Sequence, residues 1–385
     1  MTTLSIDERQ QLAKSVRAAC ERLSSEERVR AVAYNGIHQH KGFDAELWTV
    51  LCSQVGVTAI ALPENLGGAG YGASALGAVA HELGRSLAAV PFVASAVLAT
   101  TLLVAAQTEQ PEVDRRLAGL VEGSRTAAAV ITSDGGLWRP DAIPVTAEQS
   151  TAGWVLTGTA RHILHGSAAD DLVVVATIGE VPALFVLDAM APEVFRKDEQ
   201  VLDHTRPMAT ITFSSAPATL VSRRESIPEL VSRTMDLTMA VLSAEQVGAC
   251  ERLLEISTEY ARTRHQFNRP IGSFQAVKHK CADTLVDLEW ARSASQAALE
   301  AMDDGLTGES TWYASMAKAV CSEALQGAAH VNVQIHGGLG FTWEDSAHLY
   351  LRRARTDEVL FGKPSEHWDR LALESGIFTG GNAKR

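Results

Sequence analysis

A chain of 385 residues with 46% hydrophobic and 21% charged residues is long enough for two or three packed units and has apolar material for each of them. Its formal net charge of −12 argues against nucleic acid or an anionic membrane surface as a main partner, since both repel an acidic protein. Five cysteines, Cys20, Cys52, Cys250, Cys281 and Cys321, are far apart and form no C-x-x-C pair, so they read as reduced thiols in a cytosolic core.

The opening residues lack the basic-then-apolar layout of an export signal, so a cytoplasmic location is expected. Ser5 and Glu8 form a capping box that opens a helix carrying Leu12, Val16 and Leu23. His38 and His40 are a possible metal pair, but two loop histidines without a third ligand usually bind nothing, and no metal is expected. A second helix is expected from Asp44, with Leu47, Trp48 and Leu51 on one side. The breaker-rich run Pro63-Glu64-Asn65-Leu66-Gly67-Gly68-Ala69-Gly70 follows. Its glycines fit neither the dinucleotide fingerprint nor the phosphate loop. Helices over 73–118 close a first helical domain, 1–122. Within it, residues 87–106 form an uncharged stretch of membrane-spanning length. It is mostly Ala and Val, is interrupted by Pro91, Ser95, Thr100 and Thr101, and reads as a buried helix.

The composition changes after Gly123. Short runs rich in Val, Ile, Thr and Leu at 126–132, 154–157, 171–177, 183–187 and 209–213 are separated by turn residues, which predicts a mainly antiparallel β domain over 123–227. A C-terminal helical bundle is expected over 228–378, then a loose tail, 379–385. The fold class is therefore α+β: helical domain, β domain, helical bundle.

Inside the last region, 228–260 reads as a buried helix, and Phe274, Val277, Cys281, Leu285 and Leu288 recur along one side of a second. Asn268, Arg269, Pro270 and Gly272 break the pattern between them, so the two helices form an antiparallel pair. Their connection carries Arg264, Phe267 and, at its end, Gln275. An arginine offers phosphate a fixed fork of donors that lysine cannot match. The plainer alternative is a surface arginine at a helix end beside a packed phenylalanine. Further on, Gln334-Ile335-His336-Gly337-Gly338-Leu339-Gly340-Phe341 is a Gly-rich turn ending a helix.

Arg264, Phe267 and Gln275 followed in order by this glycine signature, together with the earlier Pro-Glu-x-x-Gly-Gly-x-Gly run, resemble the acyl-CoA dehydrogenase family. The resemblance implies FAD as cofactor. In such proteins Arg264 would hold the pyrophosphate, Phe267 would pack near the adenosine and Gln275 would add a hydrogen bond, all in the neighbouring subunit's cofactor. Gln334, Gly337 and Gly338 would bring backbone close to the same cofactor. On the flavin side, the family's segments map to Thr132-Ser133-Asp134-Gly135-Gly136 and to His162-Ile163-Leu164-His165. Only Thr132 survives in the first. In the second, His162 replaces an indole that would lie on the flavin, and Leu164 replaces a hydroxyl that would bond it.

The implied reaction is α,β-dehydrogenation of an acyl-CoA thioester, in which a carboxylate removes the α-proton. The two positions the family uses for that base hold Phe361 and Thr238 here, and a neighbouring arginine is replaced by Met239, although Asp236 is retained. Glu245 shares a helix face with Thr238 but lies two turns on, about 10 Å along the axis. Asp357 and Glu358 are expected to pair with Arg353 and Arg355 on a helix surface. His279 is expected to be a polar helix-face residue. The catalytic residue is thus unassigned, and a chain without its own base is expected. Trp343-Glu344 and His348-Leu349-Tyr350-Leu351-Arg352-Arg353 resemble a bacterial branch, many of whose members act on bulky or steroid-derived CoA esters, some as α2β2 assemblies. The expected function is FAD-dependent acyl-CoA dehydrogenation, working either with an unidentified base or as the base-lacking subunit of a heteromer. The alternatives are a non-catalytic partner completing a paralogue's FAD site, or a flavin-dependent monooxygenase on the same fold. Expected partners are an acyl-CoA, further subunits in a homotetramer or an α2β2 assembly with a glutamate-bearing paralogue, and an electron-transfer flavoprotein or similar acceptor.

Overall fold

The computed structural model describes residues 4–35, 42–106, 110–151, 153–305 and 308–375. His38, His40 and the tail 379–385 lie outside them. Ser5 caps α1 (Ile6–Leu23) with both bonds of the expected box in place. α2 (Glu26–Arg30) runs into a π-turn at Ala31–Asn35, and Asp44 caps α3 (Ala45–Val50) by accepting the Leu47 N–H at 3.0 Å. α4 (Ala73–Arg85) is followed by a π-helical run, Phe92–Ala99, that continues as α5 (Thr100–Ala105), and then by α6 (Pro111–Glu122). The uncharged stretch is thus a buried helical run, and no helix of the described residues is long and apolar enough to cross a membrane.

The strands are β1 (Ala127–Val130), β2 (Val145–Ser150), β3 (Gly153–Leu164), β4 (Asp171–Ile178), β5 (Val181–Asp188), β6 (Val194–Asp198) and β7 (Met208–Ser222). Their sheet closes on itself, because β5 pairs with both β7 and β4 while β2 links β4 to β3. Pairing is antiparallel except where β1 and, at one bridge, β2 run parallel to β4. The alternation along β4 explains its unbroken apolar run: Leu172 and Val174 point into the barrel while Val173 and Val175 face the helices, so both faces are buried. β2 and β6 were not foreseen, because Val-Thr-Ala-Glu-Gln-Ser and Val-Phe-Arg-Lys-Asp carry too little apolar alternation to read as strands.

The C-terminal region comprises α7 (Ile227–Thr263), a hairpin of β8 (His265–Gln266) and β9 (Arg269–Pro270), α8 (Gln275–Asp303), α9 (Gly308–His336), α10 (Ala347–Val359) and α11 (Pro364–Glu374). α4 docks on α7 backbone to backbone. A Cβ on Gly84 would come 2.0 Å from the Glu245 carbonyl oxygen, and one on Gly248 would come 2.0 Å from that of His81, so only glycine permits this approach. α7 and α9 run parallel and are pinned by polar rungs. Thr311 donates to Asp236 at 2.6 Å, Gln246 to Ser322 at 3.0 Å and Asn332 to Ser257 at 2.8 Å. At the far end Tyr260 and His336 stack with centroids 4.1 Å apart. Partners on the hydrogen-bonded rungs are separated by 75 or 76 positions throughout. Such a constant offset fixes the two helix ends relative to each other.

Candidate functional site: an exposed arm and a closed crevice

The connection after α7 is more structured than a polar loop. β8 and β9 pair His265 with Pro270 and Gln266 with Arg269, leaving Phe267 and Asn268 as the two tip residues, at φ 54° and 61°. Two left-handed residues make a type I′ turn. Asn accepts this conformation, whereas Phe holds it only under constraint. The constraint is visible: Phe267 meets Phe274 edge-on at 6.1 Å, and the Arg269 guanidinium lies 4.0 Å above the Phe274 ring. Phe267 is nonetheless 85% exposed. Arg264 is exposed, and among the described residues no carboxylate pairs with its guanidinium. Its backbone is held at both ends, by N–H donation to Tyr260 O and by acceptance from Ile271 N, each at 2.8 Å. Gln275 opens α8 and is exposed, as is His279.

The second half of the arm ends α9. Gln334, Gly337 and Gly338 are exposed. Gly337, at φ 59°, closes the helix by donating to Val333 O at 3.0 Å. Nothing lies within 4 Å of a Cβ built on Gly337 or Gly338, so in this chain the bare backbone approaches nothing; it is left open to solvent. The Tyr260–His336 stack joins the two halves, four residues before Arg264 and one before Gly337. His336 lies inside the glycine signature, close to the arm in sequence, but its stacking role was not legible there. Its Nδ1–H donates to Asn332 O at 2.8 Å, and it is the last rung of the helix register.

At the other end of α7 the two base positions are filled. Thr238 is fully buried and its hydroxyl donates to Thr234 O at 2.7 Å. Phe361 is buried at φ 60°, in a turn held from below. The Lys318 ammonium donates to the Glu358 and Gly362 carbonyls at 3.3 and 3.0 Å, and His367 Nε2 bonds Phe361 O at 3.1 Å. Burial lowers the Lys318 pKa to about 8, with Asp357 opposing. A cavity of about 480 Å³ beside this turn is lined by Trp138, Met235, Asp236, Met239, Phe361 and Arg370, among others. Burial raises the Asp236 pKa, while Thr311 and Arg370 oppose the shift. Its carboxylate is therefore held by the α7–α9 register, as the first rung.

Thr132 and His162, the two flavin-side candidates, are engaged within the chain. The Thr132 hydroxyl accepts the Gly135 N–H at 2.9 Å, and the His162 ring bonds Glu199. Leu164 and His165 are buried against Arg206, Glu245 and Arg353 around a void of only about 10 Å³, far below the ~300 Å³ at which small-molecule sites begin.

That void borders the main surprise. Arg353 and Asp357 do not form surface ion pairs as expected; both are buried, at 2% and 1% exposure. Arg353 bonds Asp203 at 2.6 Å and the Thr205 hydroxyl at 2.6 Å, and it shares Glu245 with Arg206. Arg206 Nε lies 3.1 Å from Asp357. The cluster draws on the loop before β7, on α7 and on α10, so it fastens three parts of the fold. Glu245, which sequence places too far along the helix to act as base, is spent on two guanidiniums. Only Arg355 and Glu358 behave as expected, pairing at 2.9 Å on the surface.

Burial pushes the His165 pKa down to about 3, with Arg206 and Arg353 adding to the effect, so His165 is neutral at pH 7. Asp203, by contrast, is held below its ordinary value: burial opposes its charge, but Arg353 and the Thr205 hydroxyl outweigh it. Three carboxylates then share two guanidiniums, and Asp357 takes the deficit. Burial raises its pKa to about 6, Arg206 opposing and Glu245 adding. A carboxylate in an unfolded chain titrates near about 4. The folded state therefore binds the proton more tightly between the two values, so this group favours the fold at low pH and loses that contribution as pH rises through about 6. Asp357→Asn is expected to raise the thermal midpoint at pH 7 and to leave it nearly unchanged at pH 4, as measured by melts at both values.

Residues 6–123 match the family model described as acyl-CoA dehydrogenase, N-terminal domain, and residues 229–373 match that described as acyl-CoA dehydrogenase, C-terminal domain. The chain belongs to the acyl-CoA dehydrogenase family and is an oxidoreductase by that membership. Acyl-CoA dehydrogenase IpdE2 of Mycobacterium tuberculosis is 32% identical over 369 residues, which cover 96% of this chain and 97% of that one. FadE27 of the same organism is 32% identical over 341 residues, 86% and 88% of the two chains. Among solved structures, a chain of the ChsE4-ChsE5 complex from M. tuberculosis matches with a TM-score of 0.84 at 28% identity over 100% of both chains. The Tcur3481-Tcur3483 steroid ACAD matches with a TM-score of 0.85 at 29% identity over 97% and 99%.

The family implies FAD, and the two ends of the molecule answer differently. The arm fits a nucleotide: an unpaired guanidinium, two amides, an exposed aromatic ring and open glycine backbone. The ring end does not fit a flavin in this chain, because Thr132, His162 and Thr238 are bonded within the chain and the cavity of about 480 Å³ that remains is lined by Phe361 where a carboxylate is needed.

Proposed function

We propose that this chain is the base-lacking subunit of a heteromeric, FAD-dependent acyl-CoA dehydrogenase, completing the cofactor site of a glutamate-bearing paralogue. The observation that carries this reading is the contrast within one molecule. Arg264, Phe267 and Gln275 are exposed, and among the described residues no carboxylate pairs with Arg264, while Phe361 and Thr238 bury apolar or internally bonded groups where a carboxylate is needed.

The flavin, when bound, takes up the hydride that leaves the β-carbon. This chain's residues act on the nucleotide end. Arg264 presents its fork to the pyrophosphate in a charge-assisted, two-pronged contact. Phe267 covers the adenosine face, Gln275 and Gln334 offer amide hydrogen bonds, and Gly337 and Gly338 let the partner's cofactor meet bare backbone. The constant α7–α9 register places both halves of the arm before any ligand arrives, which lowers the ordering cost of binding. Removal of the α-proton falls to the paralogue.

The solved relatives support the pairing and the substrate class. ChsE4-ChsE5 is a complex of two differently named chains, and Tcur3481-Tcur3483 is described as a steroid ACAD. A steroid-derived or similarly bulky CoA ester is accordingly the proposed substrate, with an electron-transfer flavoprotein or an equivalent as acceptor. The test compares the chain purified alone with the chain co-expressed with its paralogue. Alone it should be colourless and inactive with acyl-CoA and an artificial acceptor; together the pair should be yellow and active. Activity and flavin colour in the chain alone would sink the proposal.

A further inference from the structure

The segment between β1 and β2 is bonded on both sides. The Ser133 carbonyl accepts from Arg161 N at 3.0 Å, the Asp134 carboxylate accepts from Gly136 N at 3.0 Å, and the Gly135 N–H is taken by Thr132. Gly135 sits at φ 70°, and a Cβ there would come 3.1 Å from the His162 Cβ, so the segment is pressed against β3. Its other side meets the turn after α10. The Phe361 N–H donates to Gly135 O at 3.0 Å. Leu137 lies so close that a Cβ on Gly362 would be 2.7 Å from its side chain. Trp138 Nε1–H then donates to Pro228 O at 3.3 Å, closing the segment onto the first turn of α7. The backbone amide at the base position is thus bonded to the protein itself, and a leucine packs beside it.

We propose that Gly135, Leu137 and Trp138 with Phe361 form an internal plug that takes up the base position and one wall of the adjoining cavity of about 480 Å³, so that the chain seats no flavin ring and its fold does not depend on one. Sheet and bundle are joined here by protein contacts. Strain at Phe361 is held by Lys318 and His367 from one side and by the plug from the other, as a left-handed aromatic residue requires. The inference rests on the reading of the chain as an arm-bearing subunit, but it concerns the opposite end of the molecule.

The probe is riboflavin, which carries the ring without the nucleotide and is blind to the arm. It is titrated into the full-length chain purified alone, and quenching of its fluorescence is read. The wild-type chain should leave the emission unquenched, and its unfolding midpoint should not move at saturating riboflavin. Leu137→Ala combined with Phe361→Ala, with circular dichroism matching the wild type, should quench. Saturable one-to-one quenching by the wild type overturns the plug, as does a folded double variant that cannot quench. If the double variant does not fold, the wild-type titration decides. Failure here leaves the arm reading standing, because that reading is tested separately through FAD retention at Arg264.

Discussion

Glu245→Ala is expected to cost the chain about 3–5 kcal/mol of stability, because removing one partner from a buried ion cluster strands the others. Glu245 is shared by Arg206 and Arg353, whose side chains are 5% and 3% exposed. Without it, the two guanidiniums lose the carboxylate that both of them bond; Asp203 and Asp357 balance their charge, but Asp203 bonds Arg353 and Asp357 approaches Arg206, and the bridge between the two is gone. Neither can move freely: Asp203 is already bonded to Arg353 and Thr205, and Asp357 is anchored on α10. At about 2–4 °C per kcal/mol for domains of 150–250 residues the loss should lower the thermal midpoint by roughly 6–20 °C. Glu245→Gln, which keeps shape and one hydrogen-bonding oxygen, should fall between. The measurement is a thermal melt with limited proteolysis, since the cluster fastens three parts of the fold and its loss should expose the loop before β7. A midpoint within a degree of wild type would show that the cluster does not hold the structure together.

Arg264→Ala carries the second large effect and the opposite signature. Among the described residues nothing bonds the Arg264 side chain, so the melt of the isolated protein should not change. In the assembly with the paralogue, loss of a charge-assisted contact worth about 1.5–3 kcal/mol should weaken FAD retention by roughly 10–100-fold. Arg264→Lys should recover the charge without the two-pronged geometry and restore only part of the loss. Flavin content after gel filtration reads both variants. Unchanged content would remove Arg264 from the cofactor site and with it the main support for the arm.

The features legible in sequence were those with local signals. The Ser5–Glu8 box, the Asp44 cap and the apolar run of β4 each follow from residues a few positions apart, and the arm and the glycine turn were visible as motifs. The hairpin tip was not, because Phe267-Asn268 lacks the Asn-Gly signature by which type I′ turns are usually recognised. The ion cluster was misread for a related reason. Arg353 and Asp357, one turn apart, look like any surface pair, and their real partners lie 150 and 108 positions away in the case of Asp203 and Glu245. Charge gives no periodic trace when it is buried, so nothing local distinguished the two situations. The contact between Gly135 and Phe361 was hidden by the same distance along the chain.

The constant offset between α7 and α9 has a bearing on how such a protein can change over time. Because each rung joins a particular side chain to a particular carboxylate, hydroxyl or ring, the helices cannot drift by a fraction of a turn. A single inserted or deleted residue in α9 would swing everything beyond it by roughly 100° about the axis. It would unseat every later rung and turn Gln334 and the glycine pair away from Arg264. Substitutions along these helices are thus open to trial one at a time, whereas changes in length between Thr311 and His336 should be admissible only as whole, compensated repeats.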